Sequence, residues 1–431
     1  MSAALPDRPS LTARQAAGLR TLFDTVLATN PFYQRKLVGL PLTEALDSPA
    51  EFAALIPFTT KAELVEDQQW NPVYGSNLTF PLKSYVRCHA TSGTSGQPLR
   101  WLDTAESWQA LLQHWVEVYR AAGVTAGDRI FFAFSFGPFL GFWTAFEAGT
   151  QIGCLCLPGG SLNTLARLKA ILENSCTVLC CTPTYAIHLA ETAAREGISL
   201  AHSPVKQIIV AGEPGGSIPA TRQRIEQLWR GATVFDHHGM TEVGPVSVPC
   251  PAHPGRLHIL ESYYLAEIID PATGKLTPPN QPGELVLTPL ERIGSPLIRY
   301  RTSDWVQPLN FVEAPCACGR WDLALEGGIL GRTDDMVIVR GVNVYPAAIE
   351  QLVRQESAVV EYSVLVSQHD AMCELEVSIE VAPDEIDSEL IRRRLEKTFE
   401  TALVLRVPVK TVAAGSLPRF ELKAKRWVRA I

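Results

Sequence analysis

The sequence predicts an α/β protein with a large N-terminal domain of mixed sheets, residues 1–331, and a small α+β C-terminal domain, residues 332–431. Three observations carry that expectation. Residues 105–231 alternate amphipathic helical periods with short apolar runs at 129–134, 177–181 and 206–211, the signature of a largely parallel sheet. Two further strands at 263–270 and 284–290 flank a Pro/Gly/Asn turn, a more antiparallel style. The pattern changes again after Gly331, to a strand at 336–340, a short helix after Pro346, strands at 359–367 and 374–381, and a long helix. That helix carries Ile386, Leu390, Ile391, Leu395, Phe399 and Leu403 on one predicted face.

The 431 residues are too many for one ordinary core and enough for two unequal domains. With 46% hydrophobic and 19% charged residues the composition is globular. A formal charge of −7 and the lack of a Lys/Arg-rich run argue against a protein that coats nucleic acid. The first twenty residues have no apolar core of a signal sequence, and the most apolar stretch, 129–158, is interrupted by glycines, Pro138 and Glu147. We read it as a buried strand–turn–helix, not a membrane span. The expected compartment is the reducing cytoplasm. Of ten cysteines, Cys154, Cys156, Cys176, Cys180 and Cys181 sit among apolar neighbours as small core residues.

Five short signals point to chemistry. The run from His89 through Thr91, Ser92, Gly93, Thr94, Ser95 and Gly96 to Pro98 presents hydroxyl and backbone donors suited to phosphate oxygens, without the Gly-x4-Gly-Lys spacing; it also reads as a plain turn. Next come Asp236, His237, His238, Gly239, Met240, Thr241 and Glu242. There His238 suits a base, Thr241 a phosphate and Glu242 a Mg²⁺ held against a triphosphate, or the segment starts a helix. In the run 299–304, Asp304 at a strand end suits ribose hydroxyls. Adjacent Asp334 and Asp335 in a polar link suit a hinge, and Lys423 in the basic tail suits a polyphosphate or simply solvent.

Separately, Cys250 with His253 or His258, and Cys316 with Cys318, lie in two Pro/Gly-rich loops. Three cysteines and a histidine suit a closed structural Zn²⁺ site; ordinary loop thiols are the alternative.

Together, and in this order, the five signals resemble the adenylate-forming superfamily, most closely its phenylacetate–CoA ligase branch, over residues 84–426. The arrangement of Arg299, Tyr300, Arg301 and Thr302 and the run 331–350 carry the likeness furthest. The resemblance implies ATP, Mg²⁺ and CoA as cofactors and a carboxylic acid, aryl or arylacetic, as substrate. It places residues 91–96 around the triphosphate, Gly212, Glu213 and Pro214 beside adenine, and Asp236, His237, His238 and Gly239 flanking it. Thr241 would touch the α-phosphate and Glu242 the magnesium, with Asp304 and Arg332 at the ribose. Asp334 would be the hinge of a mobile lid, Lys423 the adenylating lysine, and Gly341 would border the path of pantetheine. Phe136 and Phe139 would line the acid pocket, and His258 is favoured over His253 as the zinc ligand. An acyl acceptor other than CoA, an amine or a separate carrier protein, stays open. So does a non-catalytic nucleotide-binding protein, and an assembly of two identical chains is compatible with the reading.

The sequence departs from the family at several positions. His238 replaces a tyrosine, Gln97 a lysine, Leu422 a glycine, and Phe142 and Trp143 two glycines.

Overall fold

The computed structural model describes residues 5–430 apart from 47, 92–97, 341, 370–371, 383–386 and 421–422. The chain divides into two compact units, one formed by Met1–Gly160 with Asp236–Ile329, the other by Ser161–Phe235 with Leu330–Ile431.

The first unit begins with the helices Arg8–Thr29, Pro31–Lys36, Pro49–Leu55 and Lys61–Trp70. Their starts are written locally. Asp7, Asn30, Ser48 and Thr60 each accept a hydrogen bond from a first-turn amide, and Thr60 with Glu63 completes a capping box. The strands Tyr85–Ala90 and Arg100–Thr104 pair antiparallel, and the helix Ala105–Ala121 buries Trp108, Leu111, Leu112, Trp115, Val118 and Tyr119 at helical spacing. The stretch 129–158 becomes strand Arg129–Phe132, helix Trp143–Gln151 and strand Leu155–Pro158, with the two strands parallel, as its interrupted hydrophobicity implies. No helix among the described residues is long and apolar enough to cross a membrane.

A six-stranded sheet follows, ordered Ser247–Pro249, Leu257–Ile259, Ala324–Arg332, Tyr300–Leu309, Gly283–Pro289, Tyr264–Ile269. Tyr300–Leu309 alternates buried and half-buried residues along its length. Asp304 therefore sits within a strand, not at its end. The backbone there is irregular, with Arg299 and Ser303 at φ of 50° and 64°.

In the second unit, parallel strands Val178–Cys181 and Gln207–Ala211 accompany helices Thr164–Glu173, Pro183–Arg195 and Pro219–Leu228. Every residue of Val178–Cys181 is buried, which is why its sequence is an unbroken apolar run. The C-terminal part pairs Val337–Val339 with Val342–Val344 and builds a four-stranded sheet ordered Val409–Val412, Met372–Val381, Val359–His369, Trp427–Ala430. Its helices are Pro346–Arg354 and Ser388–Leu403. It has a hydrophobic core of its own, whose buried residues run from Val337 to Val409, with Trp427 packed against them. Ile391, Leu395 and Phe399 point into that core, whereas Leu390 is half exposed and Ile386 lies outside the described residues. A four-residue period keeps 391, 395 and 399 on one side; 390 is a full 100° off it.

Candidate active site

In the first unit, Thr241 and Glu242 stand in the turn joining Gly239–Met240 to Gly244–Pro245. The segment is a tight hairpin, not the start of a helix. Gly239 is needed there: a Cβ would meet the Gly244 carbonyl at 2.8 Å and His237 Nε2 at 3.3 Å. The turn is clamped from below by Arg292, which is almost wholly buried. Its Nη1 donates to the carbonyls of Thr241 at 2.7 Å and Glu242 at 2.9 Å. Its Nε and Nη2 donate in fork fashion to buried Asp103 at 2.6 and 2.7 Å. The Glu242 carboxylate, itself buried, faces Lys61 Nζ at 3.3 Å and accepts from the Tyr300 hydroxyl at 3.4 Å. Arg292 thus holds this turn by its backbone, while the Glu242 carboxylate is engaged by Lys61 and Tyr300.

His237 is fixed against Trp115, with ring centroids 4.4 Å apart. Its Nδ1 donates to the Ser247 carbonyl at 2.8 Å, and burial lowers its pKa to about 3, so the ring is neutral at pH 7. The backbone N–H of Asp236's neighbour His237 donates to the Asp236 side chain at 3.1 Å. His238 donates its backbone N–H to Ser247 Oγ at 2.9 Å, and its Nε2 lies 3.1 Å from Asp304 Oδ2. The two side chains singled out for base and ribose are thus neighbours, 66 positions apart in the chain. Thr91 is buried and closes the preceding hairpin by pairing with Leu99, N to O at 2.9 Å and Oγ1 from N at 3.0 Å. Ser92, Gly93, Thr94, Ser95 and Gly96, with Gln97, lie outside the described residues, as does Gly341.

The aromatic stretch divides. Phe142 is buried against Trp115, Phe132 and Phe134, so it belongs to the core. Trp143 packs edge-on to Phe136 at 4.6 Å and donates its Nε1–H to the Gly137 carbonyl at 3.0 Å. Phe136 is half buried within this cluster, and Phe139 stands 42% exposed beside Gly137.

In the second unit, Gly212 adopts φ 95°, and a Cβ there would meet Lys423 Cε at 3.4 Å. Gly212 and Pro214 are exposed at the surface of this loop, while the carboxylate of Glu213 accepts from the amides of Thr184 at 3.0 Å and Ala424 at 2.7 Å. Arg332 grips Asp334 through Nε and Nη2 at 2.8 and 2.7 Å. Further along the lysine segment, buried Arg426 bonds Glu361 at 2.7 Å and Thr184 Oγ1 at 3.2 Å.

Cys250, His258, Cys316 and Cys318 converge, with all four ligand atoms within 4.8 Å of one another; His253 is not among them. Cys250 and Cys316 sulfurs are 3.7 Å apart, and Cys318 sulfur is 3.4 Å from His258 Nε2. Tetrahedral Zn²⁺ with Zn–S of about 2.3 Å and Zn–N of about 2.0 Å requires S···S near ~3.8 Å and S···N near ~3.5 Å, so the donor set fits that ion. His258 Nδ1 is 3.1 Å from the Asp322 carbonyl, which holds the proton there and turns Nε2 to the sulfurs.

Sequence reading missed Asp103, Arg292 and Lys61, and gave Tyr300 no contact of its own. Asp103 and Arg292 are 189 positions apart, and no local spacing links them.

Comparison with known proteins places the chain in the class of AMP-binding enzymes. Residues 88–288 match the sequence model of the AMP-binding enzymes and 341–429 that of the AMP-binding enzyme C-terminal domain. The phenylacetate–coenzyme A ligase of Pseudomonas putida is 32% identical over 386 residues, covering 87% of this chain and 84% of that protein. The enzyme of the same name from Thermus thermophilus is 30% identical over 440 residues, covering 96% and 95%. Among solved structures, a 2-hydroxyisobutyryl-CoA ligase in the postadenylation state superposes with a TM-score of 0.87 at 26% identity, over 98% of this chain and 89% of that one. The chain belongs to the phenylacetate–coenzyme A ligase family of AMP-binding enzymes.

Proposed function

We propose that this protein uses ATP to convert a carboxylic acid, aryl or arylacetic, to its acyl adenylate and then passes the acyl group to CoA. The observation that carries the reading is His238 beside Asp304, with Thr241 and Glu242 on a clamped turn, in a chain whose relatives are named as phenylacetate–coenzyme A ligases.

The chemistry explains why such residues are needed. In the first half-reaction a carboxylate oxygen attacks the α-phosphorus and pyrophosphate departs, so an anion must approach a polyanion. Catalysis is then a matter of neutralising charge and fixing an in-line geometry, without a protein nucleophile. Asp304 accepts the ribose hydroxyls, His238 orients that carboxylate and faces the base, and Thr241 donates to the α-phosphate. Residues 212–214 border the base through their backbone, since the Glu213 carboxylate is already engaged. Lys423 brings a compact positive charge to the meeting point of carboxylate and α-phosphate. Glu242 holds Mg²⁺, which when bound supplies further charge neutralisation on the phosphates. In the second half-reaction the thiolate of CoA attacks the acyl carbon and AMP leaves. Residues 332–431 act as the mobile lid about Asp334, with Gly341 at the pantetheine path. Phe136 and Phe139 give the acid an apolar wall without a charge, and Cys250, His258, Cys316 and Cys318 hold a structural Zn²⁺ that ties two loops of the first unit.

The test is a pair of half-reactions. Lys423→Ala should lower acid-dependent ATP–pyrophosphate exchange by ~10²–10³-fold, the size seen when a transition-state donor is removed. Thioester formation from supplied acyl adenylate and CoA should fall far less. Normal exchange by the variant would remove Lys423 from the chemistry, and AMP release that ignores CoA would replace the acceptor.

A further inference from the structure

Glu213 makes two contacts that an adenine-lining residue does not need. One carboxylate oxygen accepts the backbone amide of Thr184 at 3.0 Å, and the other accepts the amide of Ala424 at 2.7 Å. The first contact has a local cause. Thr184 lies in the opening turn of the helix Pro183–Arg195, whose leading amides have no partner within the helix and carry its positive end. A carboxylate placed there is held in orientation before anything else binds it. The second oxygen is thereby aimed at the residue that directly follows Lys423. Thr184 serves twice, since its hydroxyl also receives Arg426 Nη1 at 3.2 Å. Residues 424 and 426 are therefore both secured at one helix start, and Lys423 stands immediately before the secured pair. Its Cε comes within 3.4 Å of where a Cβ on Gly212 would be, so it packs on the same loop.

We infer that Glu213 is a positioning residue for the adenylating lysine: its carboxylate clasps the Ala424 amide to the start of helix Pro183–Arg195 and so sets where the Lys423 ammonium can reach. This rests on the adenylating role proposed for Lys423. Both contacts are charge-assisted hydrogen bonds from backbone amides, which move with the main chain and not with a flexible side chain. A glutamine keeps one accepting oxygen and therefore one of the two contacts; an alanine keeps neither.

The experiment reads structure and catalysis separately, in the full-length enzyme. Deuterium uptake at the peptide containing Ala424 should be about 10-fold faster or more in Glu213→Ala than in the wild type, with uptake in the helix Ser388–Leu403 unchanged. In pyrophosphate exchange, run with the better of phenylacetate and benzoate, kcat should fall about 10–100-fold in Glu213→Ala, the scale of a displaced reacting group. KM for ATP should stay within about 3-fold, and Glu213→Gln should be intermediate. Adding Glu213→Ala to Lys423→Ala should cost little more exchange, because the two act through one ammonium. Unchanged uptake at Ala424 overturns the clasp. A raised KM for ATP with kcat intact overturns it too, in favour of direct contact with the base. Normal exchange by Lys423→Ala overturns the reading beneath it, and the uptake result still reports on the contact itself.

Discussion

Glu350 offers the sharpest quantitative test of how the C-terminal part is held. It is buried on the helix Pro346–Arg354, and its carboxylate meets Arg354 at 3.0 Å, Arg426 at 3.7 Å, the Thr221 hydroxyl at 3.3 Å and the Tyr362 hydroxyl. Burial alone would raise its pKa, but the two guanidiniums and the Tyr362 and Arg354 hydrogen bonds outweigh it and bring the value from 4.5 to about 2. A carboxyl displaced that far contributes about 3 kcal/mol at neutral pH, at roughly 1.36 kcal/mol per pH unit. Because the folded value is the lower one, the contribution is complete above pH ~4.5 and is lost as pH falls toward ~2. Glu350→Gln should therefore lose about 3 kcal/mol in urea unfolding at pH 7, near the low end of the ~3–5 kcal/mol expected when a buried pair loses one partner. Its unfolding free energy should also decline less steeply than that of the wild type between pH 4.5 and 2. A variant within about 0.5 kcal/mol of the wild type at pH 7, with a parallel acid limb, would refute the argument. It would mean that Arg354 and Arg426 are fully served by Glu361 and that Glu350 adds nothing.

Three further outcomes are expected. Protein purified without chelator should contain about one Zn²⁺ per chain by elemental analysis, and Cys316→Ser should abolish it; zinc-free wild type would leave the four residues as plain thiols and an imidazole. Asp304→Ala should raise KM for ATP by about 10-fold or more, the worth of hydrogen bonds to a charged acceptor. It should also erase the wild-type preference for ATP over its 2′,3′-dideoxy analogue, and an undiminished preference would place the ribose elsewhere. Across benzoate, phenylacetate, phenylpropionate and a medium-chain fatty acid, kcat/KM should favour the aromatic acids, because the half-buried Phe136 belongs to a ring cluster that a flat acid can extend. A clear lead for the fatty acid would show that this stretch does not meet the substrate.

What was legible beforehand follows the range of the forces involved. Helix starts, buried parallel strands and the face carrying Ile391, Leu395 and Phe399 are dictated by neighbours within a turn or two, and the sequence displays them. Errors fell where tertiary context chose between local options. Met240, Thr241 and Glu242 could have opened a helix, but Arg292 takes the carbonyls of Thr241 and Glu242 that a helix would have used, and Gly239 lets two strands close in. Leu390 was placed inside by hydrophobicity, and the geometry of its helix turns it out. Phe142 stands where the family has a glycine, and only the fold shows that Trp115, Phe132 and Phe134 enclose it.

The residues that no pattern revealed share one property. Asp103, Arg292, Glu361 and Arg426 are buried charges with partners far off in sequence, and each was indistinguishable from a surface charge until folded. A buried guanidinium needs its donors satisfied, so it reaches for carbonyls as well as carboxylates. That demand is what lets Arg292 fix the turn bearing Glu242, and Arg426 fix the segment bearing Lys423. In the first place the buried arginine takes the backbone of a turn whose carboxylate meets Lys61; in the second it sits three residues after the exposed Lys423 and bonds the Thr184 hydroxyl and Glu361. Reading motif residues names the candidates for substrate contact, whereas finding what holds them needs the fold.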